Sequence, residues 1–195
     1  IISDEAGIRG FSGIRKWLQR AESIWEEKRG EKAKKMSVYN WLNYANKLID
    51  QGARPKFKVF YNASGSYLVC CVIRNESRRI KIDDTEIRLS GVIAGDTTYV
   101  YDANTEDEAF YLAACLNAQI IDRLIKPMQA RGLFGERHIH KKVLELPIPT
   151  YKPNDNNHKD LANLGKECSL KVRKILPSLA EKYASIGKIR QEVKE

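Results

Sequence analysis

Proline is scarce in this sequence and never paired. The six prolines (Pro55, Pro127, Pro147, Pro149, Pro153 and Pro177) stand apart from one another, so no Pro-Pro motif is present. Long apolar runs are missing too. None approaches the roughly 20 residues that cross a bilayer, and no signal peptide opens the chain. The four cysteines (Cys70, Cys71, Cys115 and Cys168) show no C-x-x-C spacing, so free thiols in a reducing cytoplasm are the expected state. His138 and His140 have no ligand spacing to a cysteine, which argues against zinc. The G-x-S-x-G elbow, the H-E-x-x-H helix and the P-loop are all absent. Two E-x-K triplets, Glu26/Lys28 and Glu192/Lys194, fall in helical segments and not behind a strand-borne acid, so neither makes a metal-dependent nuclease core. The pair Asp83-Asp84 reads as a turn. No catalytic residue, metal ligand or cofactor contact is expected in this chain.

What is present is 195 residues with an ordinary apolar share of 43% and a net charge of +9. That length can bury a genuine core, and the charge favours an anionic partner. The densest basic stretch is Lys126–Lys142, KPMQARGLFGERHIHKK, with five Lys or Arg against the single acid Glu136 and two of the three histidines. Gly132 and Gly135 within it allow a backbone to approach phosphate closely. A basic loop held between ordered elements is a common place for function. Because the first residue is Ile1 and not Met, a piece of a longer protein is expected.

Periodicity divides the chain. Residues 1–10 read as a linker remnant, and one domain is expected over 11–176, helical over 11–52 and mixed over 53–176. Ser12 can cap a helix with Ile14, Trp17, Leu18, Ala21 and Trp25 on one face. Ser37 caps a second, with Val38, Trp41, Leu42, Ala45, Leu48 and Ile49 as its stripe and Gly52 as its stop. Tyr39 and Tyr44 lie off that stripe and read as surface tyrosines. After Pro55 the period becomes 2: Phe57–Tyr61, a turn at Asn62-Ala63-Ser64-Gly65, then Tyr67–Ile73 as a strand buried on both faces. Shorter strands are expected near 80–82, 86–89 and 97–101. Thr105-Glu106-Asp107-Glu108 is a capping box opening a helix with Ala109, Leu112, Ala113, Leu116, Ile120 and Leu124 on one stripe. Leu161, Leu164, Cys168, Val172 and Ile175 mark a further helix to about 176, with a last helix over 177–195. The fold class expected is α+β: a small twisted, mostly antiparallel sheet flanked by helices, with helical segments at both ends.

Four pieces occur in order: YNASG (61–65), EDEAFYLAACLNAQIIDRLIKPMQ (106–129), RGLFGERHIHKK (131–142) and LELPIPTY (144–151). Together they resemble the C-terminal target-recognition region of N6-adenine DNA methyltransferases of restriction–modification type. The resemblance runs from about Trp17 to Leu176 and is strongest over 97–151. It implies that methyl transfer belongs to an upstream domain of the same polypeptide that binds S-adenosylmethionine and holds an Asn/Asp-Pro-Pro-Tyr/Phe pocket. That pocket motif has no match here, so no catalytic or cofactor residue is carried over. The recognition role is, with double-stranded DNA as partner.

On that reading lysines and arginines from several elements hold phosphates, and a few side chains read bases. Arginine matches guanine edges through its two-donor fork, and Gln129 can pair with adenine. The expected DNA-binding residues are Gln129, Arg131, Gly132, Gly135, Arg137, His138, His140, Lys141 and Lys142, with Arg54, Lys56 and Lys58 as a second group. Two other classes stay open: a basic module that docks on an acidic protein, and an RNA-binding domain. The glycine-aromatic strand motif of common RNA modules is not evident.

Overall fold

The change of period at Pro55 coincides with a division of the chain into two compact units, 1–51 and 52–195. The computed structural model describes all residues except 1, 52–54, 66, 83–84, 96, 133–134, 137 and 195. The α+β class is observed: helices predominate, with a small antiparallel sheet.

In the first unit, residues expected as linker form a short helix, α1 (Ser3–Ile8), which packs on α2 (Ser12–Lys28). Polar satisfaction explains the order. The Ser3 hydroxyl donates to Glu22 at 3.0 Å, the Ser3 amide donates to the Tyr39 hydroxyl at 2.9 Å, and that hydroxyl in turn donates to Glu22. Tyr39, read as a surface residue, is thus the centre of a part-buried network. Ser37 does cap α3 (Val38–Leu42), accepting from the Asn40 amide. The helix then stops early because the Asn43 side-chain oxygen accepts from the amides of Leu48 and Ile49. Ala45 and Asn46 take positive φ at the resulting kink. An asparagine offering its own acceptor competes with the helix, and the stripe beyond residue 42 is lost. The stop expected at Gly52 lies outside the described residues, as does the Asp83-Asp84 turn.

The second unit is built on three antiparallel strands in the order β2-β1-β5: β1 (Phe57–Asn62), β2 (Cys70–Arg74) and β5 (Thr98–Ala103). A separate hairpin pairs β3 (Arg78–Ile82) with β4 (Thr85–Leu89). Alternation puts Phe57, Val59 and Tyr61 on one face, against α4 (Glu106–Asn117) and α5 (Gln119–Ile125). The strand expected over 67–73 starts later, at Cys70, and exposes Cys71. It is therefore an edge strand and not a strand buried on both faces.

The capping box forms as expected. The Thr105 hydroxyl accepts from the Glu108 amide at 3.1 Å, and the Glu108 carboxylate accepts from the Asn104 amide at 2.7 Å. The expected single helix is nevertheless broken at Ala118, whose ψ of 136° is extended. Asn117 is diverted there to the sheet, and the break changes the helical register. Ile121 and Ile125 become buried, while Ile120 and Leu124 of the expected stripe are exposed.

The last long helix, α6 (Asn156–Lys182), is capped by Asp155 and continues through Pro177 instead of ending before it. A final helix, α7 (Ile186–Lys194), follows. The approach of α6 to α4 is set by Gly165, where an added Cβ would stand 2.4 Å from the Phe110 carbonyl oxygen and 3.3 Å from Ala114. Backbone does not yield cheaply, so Gly165→Ala is expected to cost about 1–3 kcal/mol by forcing the helices apart. A thermal melt within a degree of wild type would show that α6 shifts freely on α4.

Alkali is expected to weaken the second unit. Burial pushes the Tyr61 hydroxyl up to about 12, helped by the neighbouring Tyr99. Burial likewise raises Tyr111 to about 12. A folded-state pKa raised above the ordinary 10.0 means that the stabilisation is complete below pH 10 and is lost as pH climbs toward 12. Chemical denaturation at stepped alkaline pH should show stability falling in that window and not before it.

Candidate nucleic-acid interface

The basic stretch 126–142 is tied to the β1–β2 turn at several points. Asn62 shapes the turn: its amide donates to the carbonyls of Ser64 and Tyr67, and its oxygen accepts from the Val69 amide at 2.8 Å. Gly65 sits at φ 146°, a conformation open to glycine and strained for other residues. The shaped turn then holds the loop. The Gln129 side-chain amide donates to the Gly65 carbonyl at 3.3 Å, the Ile139 amide donates to the Ala63 carbonyl at 3.1 Å, and His138 bridges Ser64. Lys126 lies 4.8 Å above the Tyr67 ring, close enough for a cation–π interaction.

Apolar anchors fix the same stretch from inside. Ile125, Ile139 and Val143 are buried in the core of the second unit. Between the anchors the backbone forms a minimal hairpin, Arg131–Gly132 (β6) against Gly135–Glu136 (β7), and then a 3-10 turn over His140–Glu145. The two expected glycines therefore face each other across this short ladder.

The expected site residues fall into separate places. His138 and Lys141 are exposed, and Lys142 is partly exposed with Glu145 at 3.5 Å. Of Arg131 and His140 only the backbone is described, and Arg54 and Arg137 lie outside the described residues. Gln129, expected to read adenine, is buried and spends its amide on Gly65. It is a loop anchor. Lys58, expected at phosphate, is fully buried and pairs with Asp102 at 3.0 Å across the β1–β5 ladder. It belongs to the sheet and leaves the site. Lys56 is exposed but precedes β1 at the end away from the loop, roughly 20 Å along the strand. The structure does not gather it with His138 and Lys141.

Residues not expected at the site complete it. Tyr67 is half exposed beside Lys126, and Asp122 tempers that lysine at 3.7 Å. Asp122 also accepts from the Leu68 amide at 3.1 Å, which couples α5 to the segment leading into β2. The signal for this clamp was the N-A-S-G turn itself, since a turn rich in small polar residues offers carbonyls that another segment can bind. Behind it, the Tyr111 hydroxyl donates to the Pro149 carbonyl at 2.9 Å, and the Tyr111 ring stacks on His158 at 4.5 Å. The first seats the L-P-I-P segment on α4, and the second holds the start of α6 against it.

Among the described residues no group of three or more His, Cys, Asp or Glu could hold a metal ion, and no helix is long and apolar enough to cross a membrane. No family model matches the chain, and no curated protein or solved structure matches it.

Proposed function

We propose that this chain is a sequence-specific, double-stranded-DNA recognition domain of an adenine-specific DNA methyltransferase or a fused restriction–modification enzyme. Methyl transfer is the work of an upstream S-adenosylmethionine-dependent domain, and this chain positions the duplex for it. The supporting observation is the anchored basic stretch: Ile125, Gln129, Ile139 and Val143 hold it from behind while His138 and Lys141 stand exposed. A basic side chain and a hydrogen-bonding imidazole on an anchored base suit a polyanion whose phosphates are regularly spaced. The order YNASG, basic loop, LPIP supports the same reading, because the first piece physically carries the second.

Fluorescence anisotropy with a labelled duplex across a salt series tests this. Counterion release predicts that log affinity falls linearly with log salt, with a slope of about −0.9 for each phosphate neutralised. Unlabelled duplex DNA should compete better than RNA of the same sequence. A flat salt response, or equal competition by RNA, overturns the reading.

A further inference from the structure

The edge of β2 is closed at Cys70, has its carbonyl taken at Arg74, and is open between them. In an antiparallel edge strand, alternate residues turn both backbone groups outward. Cys70 does so: its amide donates to the Asn117 side-chain oxygen at 2.9 Å, and its carbonyl accepts from the Asn117 amide at 2.8 Å. Alternation places Val72 and Arg74 on the same outward edge. The Arg74 carbonyl is taken by the Arg78 guanidinium at 2.8 Å. Val72 is left with an outward N–H and C=O, and none of the described residues fills the role that Asn117 plays for Cys70.

Across from this edge stands α6, and both β2 and α6 pack on α4. Two cavities occupy the space between them and share Val72, Phe110 and Ser169 as walls. One, of 390 Å³, is apolar and lined by Ala114, Leu161, Leu164 and Cys168. The other, of 640 Å³, is charged, with Arg74, Arg78, Lys166 and Arg173 against Glu76 and Glu106. Glu106 is held below the usual carboxylate range by Arg74 and then Lys166, so those cations are partly spent. Arg78 and Arg173 carry the excess. Leu161 and Leu164 have the spacing of a buried stripe, yet Leu164 is 53% exposed.

We propose that the groove between β2 and α6 binds an extended peptide segment, which adds as a strand to the β2 edge at Val72. Its apolar side chains lie among Leu161, Leu164 and Cys168, and its acidic residues meet Arg78 and Arg173. Strand addition draws affinity from main-chain pairing and specificity from alternate side-chain pockets. Nucleic acid would satisfy the arginines but has no use for the apolar half or for the paired donor and acceptor of Val72. The proposal does not depend on DNA recognition at the loop.

The probe is the fluorescein-labelled peptide Thr-Val-Thr-Val-Glu-Glu, with Thr-Val-Thr-Val-Lys-Lys as its control, titrated by anisotropy. Val72→Pro removes the outward donor at a position where an edge strand tolerates proline. Arg173→Glu reverses the charged end, and Leu164→Glu puts a charge into the apolar half from an exposed position. Saturable binding of the acidic peptide is expected, with each variant about tenfold weaker and Arg173→Glu gaining the lysine peptide. Circular dichroism confirms that each variant is folded. Where Val72→Pro is not folded, Leu164→Glu decides. No saturation by about 1 mM, equal binding of both peptides, or full affinity in the folded variants overturns the proposal. Displacement of the acidic peptide by duplex DNA also overturns it, since the groove would then be a polyanion site.

Discussion

Leu116→Ala is expected to lower the unfolding free energy by about 2–5 kcal/mol, the range for truncating a buried leucine. Leu116 is 2% exposed and belongs to the cluster that joins β1, α4, α5 and the basic stretch. The cavity left by its truncation would adjoin residues from both helices and from the sheet, so little of it can collapse. Ile120→Ala is the informative partner. One continuous helix would bury Ile120 on the same stripe, but the break at Ala118 leaves it 58% exposed. Its truncation is expected to cost about 0.5 kcal/mol or less, as surface changes do. Ile121→Ala, four positions before the buried Ile125, should behave like Leu116. Denaturation of the three variants thus reports the register of α5. A larger loss at Ile120 than at Ile121 would mean that the kink does not form in solution.

Local signals were legible where a residue acts on its own neighbours, and misled where a distant segment competes for its polar atoms. Ser37, the capping box at Thr105, the strand over Phe57–Tyr61 (buried on both faces, not on alternate residues) and all three later strands are present in the structure. Each depends on bonds within a few residues or on a period fixed by backbone geometry. The helix expected over 105–125 fails at Ala118 because Asn117 bonds Cys70, 47 positions earlier. The helix expected over 38–51 fails because Asn43 caps amides ahead of it. No pattern of apolar residues records either choice.

The candidate site shows the same division. The basic stretch and its glycines could be read from composition, and the structure places them on one anchored segment. Which cations remain available could not be read. Lys58 lies on the strand face opposite Val59, and only the position of Asp102 on β5 shows it to be buried and paired. Gln129 has the right chemistry for adenine, but its amide is spent on Gly65. A long polar side chain reads the same in sequence whether it supports a loop or faces a ligand.

That distinction sets the expected behaviour of the loop variants. Lys141→Ala and Lys142→Ala are expected to weaken DNA binding about equally on every duplex, because phosphates carry no sequence. The log–log salt slope should become shallower by about 0.9 for each phosphate that is no longer neutralised. The effect at Lys142 should be the smaller, since Glu145 already lies 3.5 Å from its ammonium. Arg131→Ala is expected to remove about 1–3 kcal/mol of discrimination at a single base pair while leaving the salt slope less changed. Gln129→Ala gives the contrast. Its amide holds the Gly65 carbonyl, so its loss should loosen the loop, lower thermal stability and reduce affinity for cognate and altered duplexes alike. If Gln129→Ala instead relaxes preference at one A·T pair with stability intact, the side chain turns outward on binding and reads adenine. Anisotropy on cognate and singly altered duplexes at several salt concentrations, beside a thermal melt of each variant, separates these outcomes. Should all four variants keep wild-type affinity, preference and salt slope, DNA is read elsewhere on the chain.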